Sequence, residues 1–152
     1  MPTISFVSPK GGVGKTTAAV LLATEIARRG KAVTVIDADP NKPISTWARL
    51  PGRPENLRVV SEVHEDTIID EIERAEAEAP FVVIDLEGTA SLMVGYAISR
   101  CDLVIVPSQG SQLDAKEAAK AIRLIQQQEK AFKRSIPYAV LLTRTSAAIR
   151  PR

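Results

Sequence analysis

Ser8-Pro9-Lys10-Gly11-Gly12-Val13-Gly14-Lys15-Thr16-Thr17 decides how this chain is read. An apolar run, Ile4-Ser5-Phe6-Val7, precedes it and reads as a short buried strand. Ala18-Ala19-Val20-Leu21-Leu22-Ala23 follows and reads as a helix. Strand, glycine loop, Gly-Lys-Thr and helix, in that order, are the context of a phosphate-binding loop. Gly11, Gly12 and Gly14 let the backbone turn tightly and bring N–H groups against phosphate oxygens. The helix N-terminus directs its partial positive charge at the same oxygens. Lys15 carries a full charge toward β- and γ-phosphates, and Thr16 offers a hydroxyl to Mg²⁺. Val13 and Thr17 complete the nucleotide-binding set. The generic pattern has glycine where this chain has Pro9. The alternative reading is an ordinary glycine turn between strand and helix.

Lys10 separates this loop from the generic kind. Lys10-Gly11-Gly12-Val13-Gly14-Lys15-Thr16-Thr17 resembles the deviant phosphate-binding loop of the ParA/MinD family of ATPases. The resemblance implies that Lys10 crosses a dimer interface and touches the nucleotide of the neighbouring subunit. It thereby implies a catalytic role for Lys10 and Lys15, with ATP and Mg²⁺ as cofactors. The alternative is a surface lysine beside a phosphate site.

The length of 152 residues fits one domain, and 45% apolar with 25% charged residues fits a globular protein with a core. No apolar run approaches the length of a membrane span, and no signal stretch opens the chain, so the cytoplasm is expected and no membrane partner. Cys101 is the single cysteine, expected as a small core residue. Net charge is only +2, but it is uneven. Glu62 to Glu78 holds eight acidic side chains and one arginine; after Glu129 come Lys130, Lys133, Arg134, Arg144, Arg150 and Arg152 with no acid. Such asymmetry marks either a nucleic-acid face or ordinary solvated surface.

The spacing of Ala19, Leu22, Ala23, Ile26 and Ala27 predicts a helix over 15–29, closed by Gly30. Lys31 to Ile36 is a second strand, parallel to the first because the crossover is helical. It ends in Asp37-Ala38-Asp39-Pro40-Asn41. Carboxylates at the C-terminal end of a parallel strand lie on the rim where such folds bind ligands. The stretch is similar to the family's Asp-x-Asp-Pro segment, which implies that Asp39 positions the hydrolytic water and Asp37 lies near the metal. The alternative is a turn with Asx hydrogen bonds.

A short helix over 42–48, with Trp47 in a packing role, is followed by a weak edge strand at Leu57–Val60. An amphipathic helix is expected over 65–79, with His64 as a surface cap. Phe81-Val82-Val83-Ile84-Asp85 is an unbroken apolar strand, as in a sheet covered on both faces. Asp85 matches the Walker B position beside Mg²⁺. Asp85-Leu86-Glu87-Gly88-Thr89-Ala90-Ser91 lacks the prolines common in the family here, and Gly88 is expected to offer a backbone N–H to the γ-phosphate. The phrase resembles a subgroup of plasmid-borne ParA relatives, including those from virulence regions of DNA-transferring bacteria. Helix 92–99, strand 102–107, a long helix over 113–130 and strand 136–142 complete the pattern. Arg144, just past that last strand, is counted with the nucleotide-binding residues.

The expected fold is α/β, a parallel sheet of about six strands sandwiched between helices, the P-loop NTPase fold. The domain is expected over 1–145, with a basic tail over 146–152. ParA-like proteins carry further elements beyond this point, so the chain is expected to be C-terminally short. The resemblance implies a weak ATPase that forms a homodimer across ATP and binds DNA non-specifically. It also implies a small ParB-like partner and a role in partition of plasmid or chromosome DNA. Two alternatives stand beside it: an ATP-regulated scaffold for DNA transfer, and a dethiobiotin-synthetase-like biosynthetic enzyme.

Overall fold

Six strands and five helices alternate along the chain in a computed structural model that describes residues 2–9, 14–88, 91–110 and 112–143. In chain order they are β1 (Thr3–Ser8), α1 (Lys15–Arg28), β2 (Val33–Asp37), α2 (Pro43–Ala48), β3 (Leu57–Val60) and α3 (Ile68–Glu78). Then come β4 (Phe81–Glu87), α4 (Leu92–Ser99), β5 (Leu103–Ser108), α5 (Gln112–Phe132) and β6 (Tyr138–Leu142). The strands form one sheet in the order β3-β2-β4-β1-β5-β6, and every pairing is parallel. The doubly covered parallel sheet expected from the sequence is the fold observed.

The period-two geometry of the strands divides the apolar residues between two faces. Phe6, Val33, Val35 and Val83 pack under Ala19, Ala23 and Ala27 of α1 and Ile44 of α2. Their neighbours Val7, Ile36, Ile84, Val104 and Val106 face α3, α4 and α5, where Ile68, Ile72, Ile98 and Ile125 fill the space. The three alanines let α1 lie close on the sheet. Gly30 takes φ +80° as the residue that ends α1. Trp47 is half-buried against the α1 face. Cys101 is fully buried, donates to the Ala97 carbonyl at 3.1 Å, and burial pushes its thiol up to about 12.

Among the boundaries that differ from the expected ones, two have clear local reasons. Helix α3 starts at Ile68 rather than Glu65, because residues 64–67 close a turn in which the His64 N–H donates to Thr67 Oγ1 at 2.9 Å. His64 itself is exposed. Strand β6 starts at Tyr138 rather than Ile136: Pro137 has no N–H, and the Ile136 N–H donates to Glu129 Oε2 at 2.9 Å. The expected tail, 146–152, lies outside the described residues. No described helix is long and apolar enough to cross a membrane.

Candidate functional site

Strands β1, β2 and β4 end side by side, so their C-terminal residues share one rim. Ser8 pairs in register with Glu87, and Asp37 with Asp85. Helix α1 begins at this rim. Gly14 precedes it with φ +80°, a left-handed conformation that a side chain disfavours. A Cβ there would also meet Thr143 at 3.4 Å. Lys10, Gly11, Gly12, Val13 and Arg144 lie outside the described residues, so the loop enters this description at Gly14.

Lys15 is the first residue of α1 and only 5% exposed. Its ammonium is ion-paired with Asp85 Oδ1 and lies 3.4 Å from Asp39 Oδ2. Thr16, one residue on, donates from Oγ1 to Asp85 Oδ2 at 3.0 Å. Both oxygens of Asp85 are therefore engaged by the start of α1. The Asp85 carboxyl sits above its ordinary range because burial penalises its charge, an effect opposed by Lys15 and Thr16. One face of the rim thus collects a lysine, a threonine hydroxyl and two carboxylates around one point.

Asp39 is only 6% exposed and has both carboxylate oxygens engaged. Its Oδ1 accepts from the Asn41 N–H at 2.8 Å, an Asx turn, while Oδ2 faces Lys15. Asp37 is fully buried, and its Oδ2 accepts from both the N–H and the Oγ of Ser45, at 2.9 and 2.8 Å. It thereby caps α2 from outside, since Lys42 at the N-cap supplies no side-chain bond. Lys42 Nζ instead donates to the Asp37 carbonyl at 2.9 Å. Among the described residues the Asp37 Oδ1 has no partner. The Gly88 N–H, expected to face phosphate, donates to the Ser8 carbonyl at 2.8 Å and is already used.

Glu87 is the site residue that the sequence reading passed over. It follows Asp85 by two positions on β4 and so points to the same face. Its carboxyl is raised first by burial and next by the charge of Asp39. The strand periodicity after a Walker B aspartate was the signal available for it.

Beside the rim, Gly14, Thr17 and Leu21 of the loop and α1 face Leu141 and Thr143 across a groove of about 310 Å³. Its lining is mostly apolar. The donor set suits a phosphate with a hard cation: a hydroxyl, a carboxylate, an ammonium and a helix N-terminus. Among the described residues no three acidic, histidine or cysteine side chains form a metal cage. A cation here would take few protein oxygens and complete its shell from phosphate and water, as Mg²⁺ does.

The family model described as "VirC1 protein" matches residues 1–150. The chain is 43% identical over 150 residues to "Protein ParA" of Rhizobium radiobacter, covering 99% of this chain and 68% of that one. It is 30% identical to "Protein virC1" of Rhizobium rhizogenes over 149 residues, 95% of this chain and 64% of the relative. It thus spans about two thirds of the length of these relatives. Its fold is similar to that of a putative plasmid partition protein from Borrelia burgdorferi bound to AMPPNP. That similarity has a TM-score of 0.76 at 17% identity, covering 97% of this chain and 76% of the other.

Proposed function

Because the chain belongs to the VirC1 protein family, we propose that it is a ParA-type ATPase that binds ATP with Mg²⁺, dimerises across the nucleotide and hydrolyses it slowly. Its output is DNA partition, through non-specific DNA binding and a small ParB-like partner. The observation that carries the reading is the convergence of Lys15, Thr16, Asp39 and Asp85 at the start of α1.

The roles follow from chemistry. Lys15 holds the β- and γ-phosphates, leaving the two carboxylates that share its ammonium. Thr16 and Asp85 would hold Mg²⁺, with Asp37 behind them in the same sheet register. Mg²⁺ would supply charge that neutralises the phosphate oxygens. Asp39 orients the attacking water, its second oxygen fixed by the Asn41 N–H. Lys10 reaches the nucleotide of the partner, and Gly11, Gly12, Val13 and Gly14 surround the phosphates with backbone N–H groups. The base lies in the groove between α1 and β6, with Thr17 in its lining; Arg144 is assigned to the nucleotide with it.

Binding of Mg–AMPPNP by titration calorimetry, with phosphate release from ATP, tests this assignment. Lys15→Ala should weaken binding by roughly 10- to 100-fold, the worth of a charge-assisted bond. Asp39→Ala should keep binding and lose turnover. Lys10→Ala should lower turnover stimulated by DNA and partner, and turnover unaffected by that change would favour a biosynthetic enzyme. Wild-type affinity in the Lys15 variant would remove the site from its proposed place.

A further inference from the structure

Lys15, Asp39 and Asp85 are all buried, so their three charges meet away from solvent. A buried charge is kept beside a counter-charge, and removing one partner is strongly disfavoured. Here the Lys15 ammonium is that counter-charge. It is ion-paired with Asp85 Oδ1 and lies 3.4 Å from Asp39 Oδ2. The other Asp85 oxygen accepts from Thr16 Oγ1 at 3.0 Å. Thr16 and Asp85 are also the residues assigned above to Mg²⁺. The ammonium therefore stands on the carboxylate that the cation needs.

A divalent cation at Asp85, held directly or through one of its waters, would sit beside that ammonium. Like charges so close in a buried place repel strongly. Asp85 does not move away, because β4 is hydrogen-bonded on both sides: Asp85 pairs in register with Phe6 of β1 and Asp37 of β2. The mobile party is Lys15, a point charge on a flexible four-carbon stem at the first residue of α1. We propose that Lys15 and the divalent cation are exchangeable counter-ions of Asp85 and Asp39. Lys15 keeps the cation out until a triphosphate takes its ammonium, and the cation then replaces it on the carboxylates.

This exchange rests on the ATP reading above for the phosphate, and it adds an order of events. Phosphate without a cation draws Lys15 off and leaves two buried carboxylates without a counter-charge. A cation without phosphate meets the ammonium. Each ligand therefore strengthens the other, and the coupling is equal in both directions. Its carrier is the charge of Lys15 rather than the shape of the site.

Mn²⁺ takes the same oxygen ligands as Mg²⁺ and is paramagnetic, so spin resonance of the free ion reads its binding without any turnover. In the absence of nucleotide the wild type should bind Mn²⁺ weakly. Lys15→Met, which keeps the stem and removes the charge, should bind it more tightly by roughly ten- to a hundredfold, the usual range of coupling between sites. Lys15→Arg, which keeps the charge, should stay as weak as the wild type. Adding Asp85→Asn to Lys15→Met should abolish the gain. Far-ultraviolet circular dichroism checks that each variant is folded. A second measurement needs no variant: the Thr16 and Asp85 amide resonances of the wild type should stay sharp with Mn²⁺ alone and broaden once AMPPNP is added. Broadening of both with Mn²⁺ alone, or equal Mn²⁺ affinity in the wild type and Lys15→Met, overturns the exchange. Calorimetry of wild type with Mg–AMPPNP separates the two readings: binding there leaves the ATP site standing when the exchange fails, and its absence removes the ATP site and with it the phosphate that the exchange requires.

Discussion

Among the described residues, Lys15 sets its ammonium between Asp39 and Asp85, with Glu87 beside Asp39. Glu87 and Asp85 are both raised, chiefly by burial. A carboxyl with a raised folded pKa binds more protons folded than unfolded. Its effect on stability is therefore fully favourable below the ordinary value, 4.5 for Glu87, and is lost as pH rises through the folded one. Glu87→Gln removes that loss. Thermal melts should show the variant matching the wild type near about pH 4 and melting higher at about pH 7. An equal difference at both pH values would show that Glu87 does not titrate against this cluster.

Among the elements, the connections explain charges that the composition left ambiguous. Arg134, counted above with the basic C-terminal residues, donates to the Ser99 and Cys101 carbonyls, the latter at 2.9 Å. It ties the end of α5 to the turn between α4 and β5, where the carbonyls leaving a helix have no partner of their own. Arg134→Ala should cost about 1–3 kcal/mol, read as a lower urea midpoint. Lys133→Ala, on exposed surface, should change it by less than about 0.5 kcal/mol. Equal effects would mean that the carbonyl bonds contribute nothing. Three acids of the acidic run are likewise engaged in surface pairs: Glu78 with Arg58, Glu73 with Arg100, Glu71 with Arg74. Such pairs are worth little individually, and they make α3 an ordinary solvated helix.

The assembled fold places the rim of Lys15, Asp39 and Asp85 and the groove between α1 and β6 on one body. Non-specific DNA binding, if it accompanies the nucleotide-bound state, rests on phosphate neutralisation. Anisotropy of a labelled random duplex with Mg–AMPPNP should then show affinity falling roughly tenfold or more between about 50 and 200 mM salt. Arg134, engaged with two carbonyls, should contribute little to that slope. A salt-independent signal would point away from the backbone of DNA.

The order of elements, the two-sided burial of the sheet and the grouping of Lys15, Thr16 and Asp85 on one rim were legible in the chain, because strand period, helix period and the glycine loop are local properties. The boundaries at Ile68 and Tyr138 were not, since each depends on one hydrogen bond. The sequence set Asp37 beside the metal and Asp39 beside the water, but not their partners: packing turned Asp37 toward Ser45 as the cap of α2 and Asp39 toward Lys15. Glu87 became visible through its nearness to a residue 48 positions earlier in the chain, Asp39. Local periodicity determined which segments fold and which faces they bury. The tertiary structure alone decided which charges meet, because that depends on distances between segments remote in the chain.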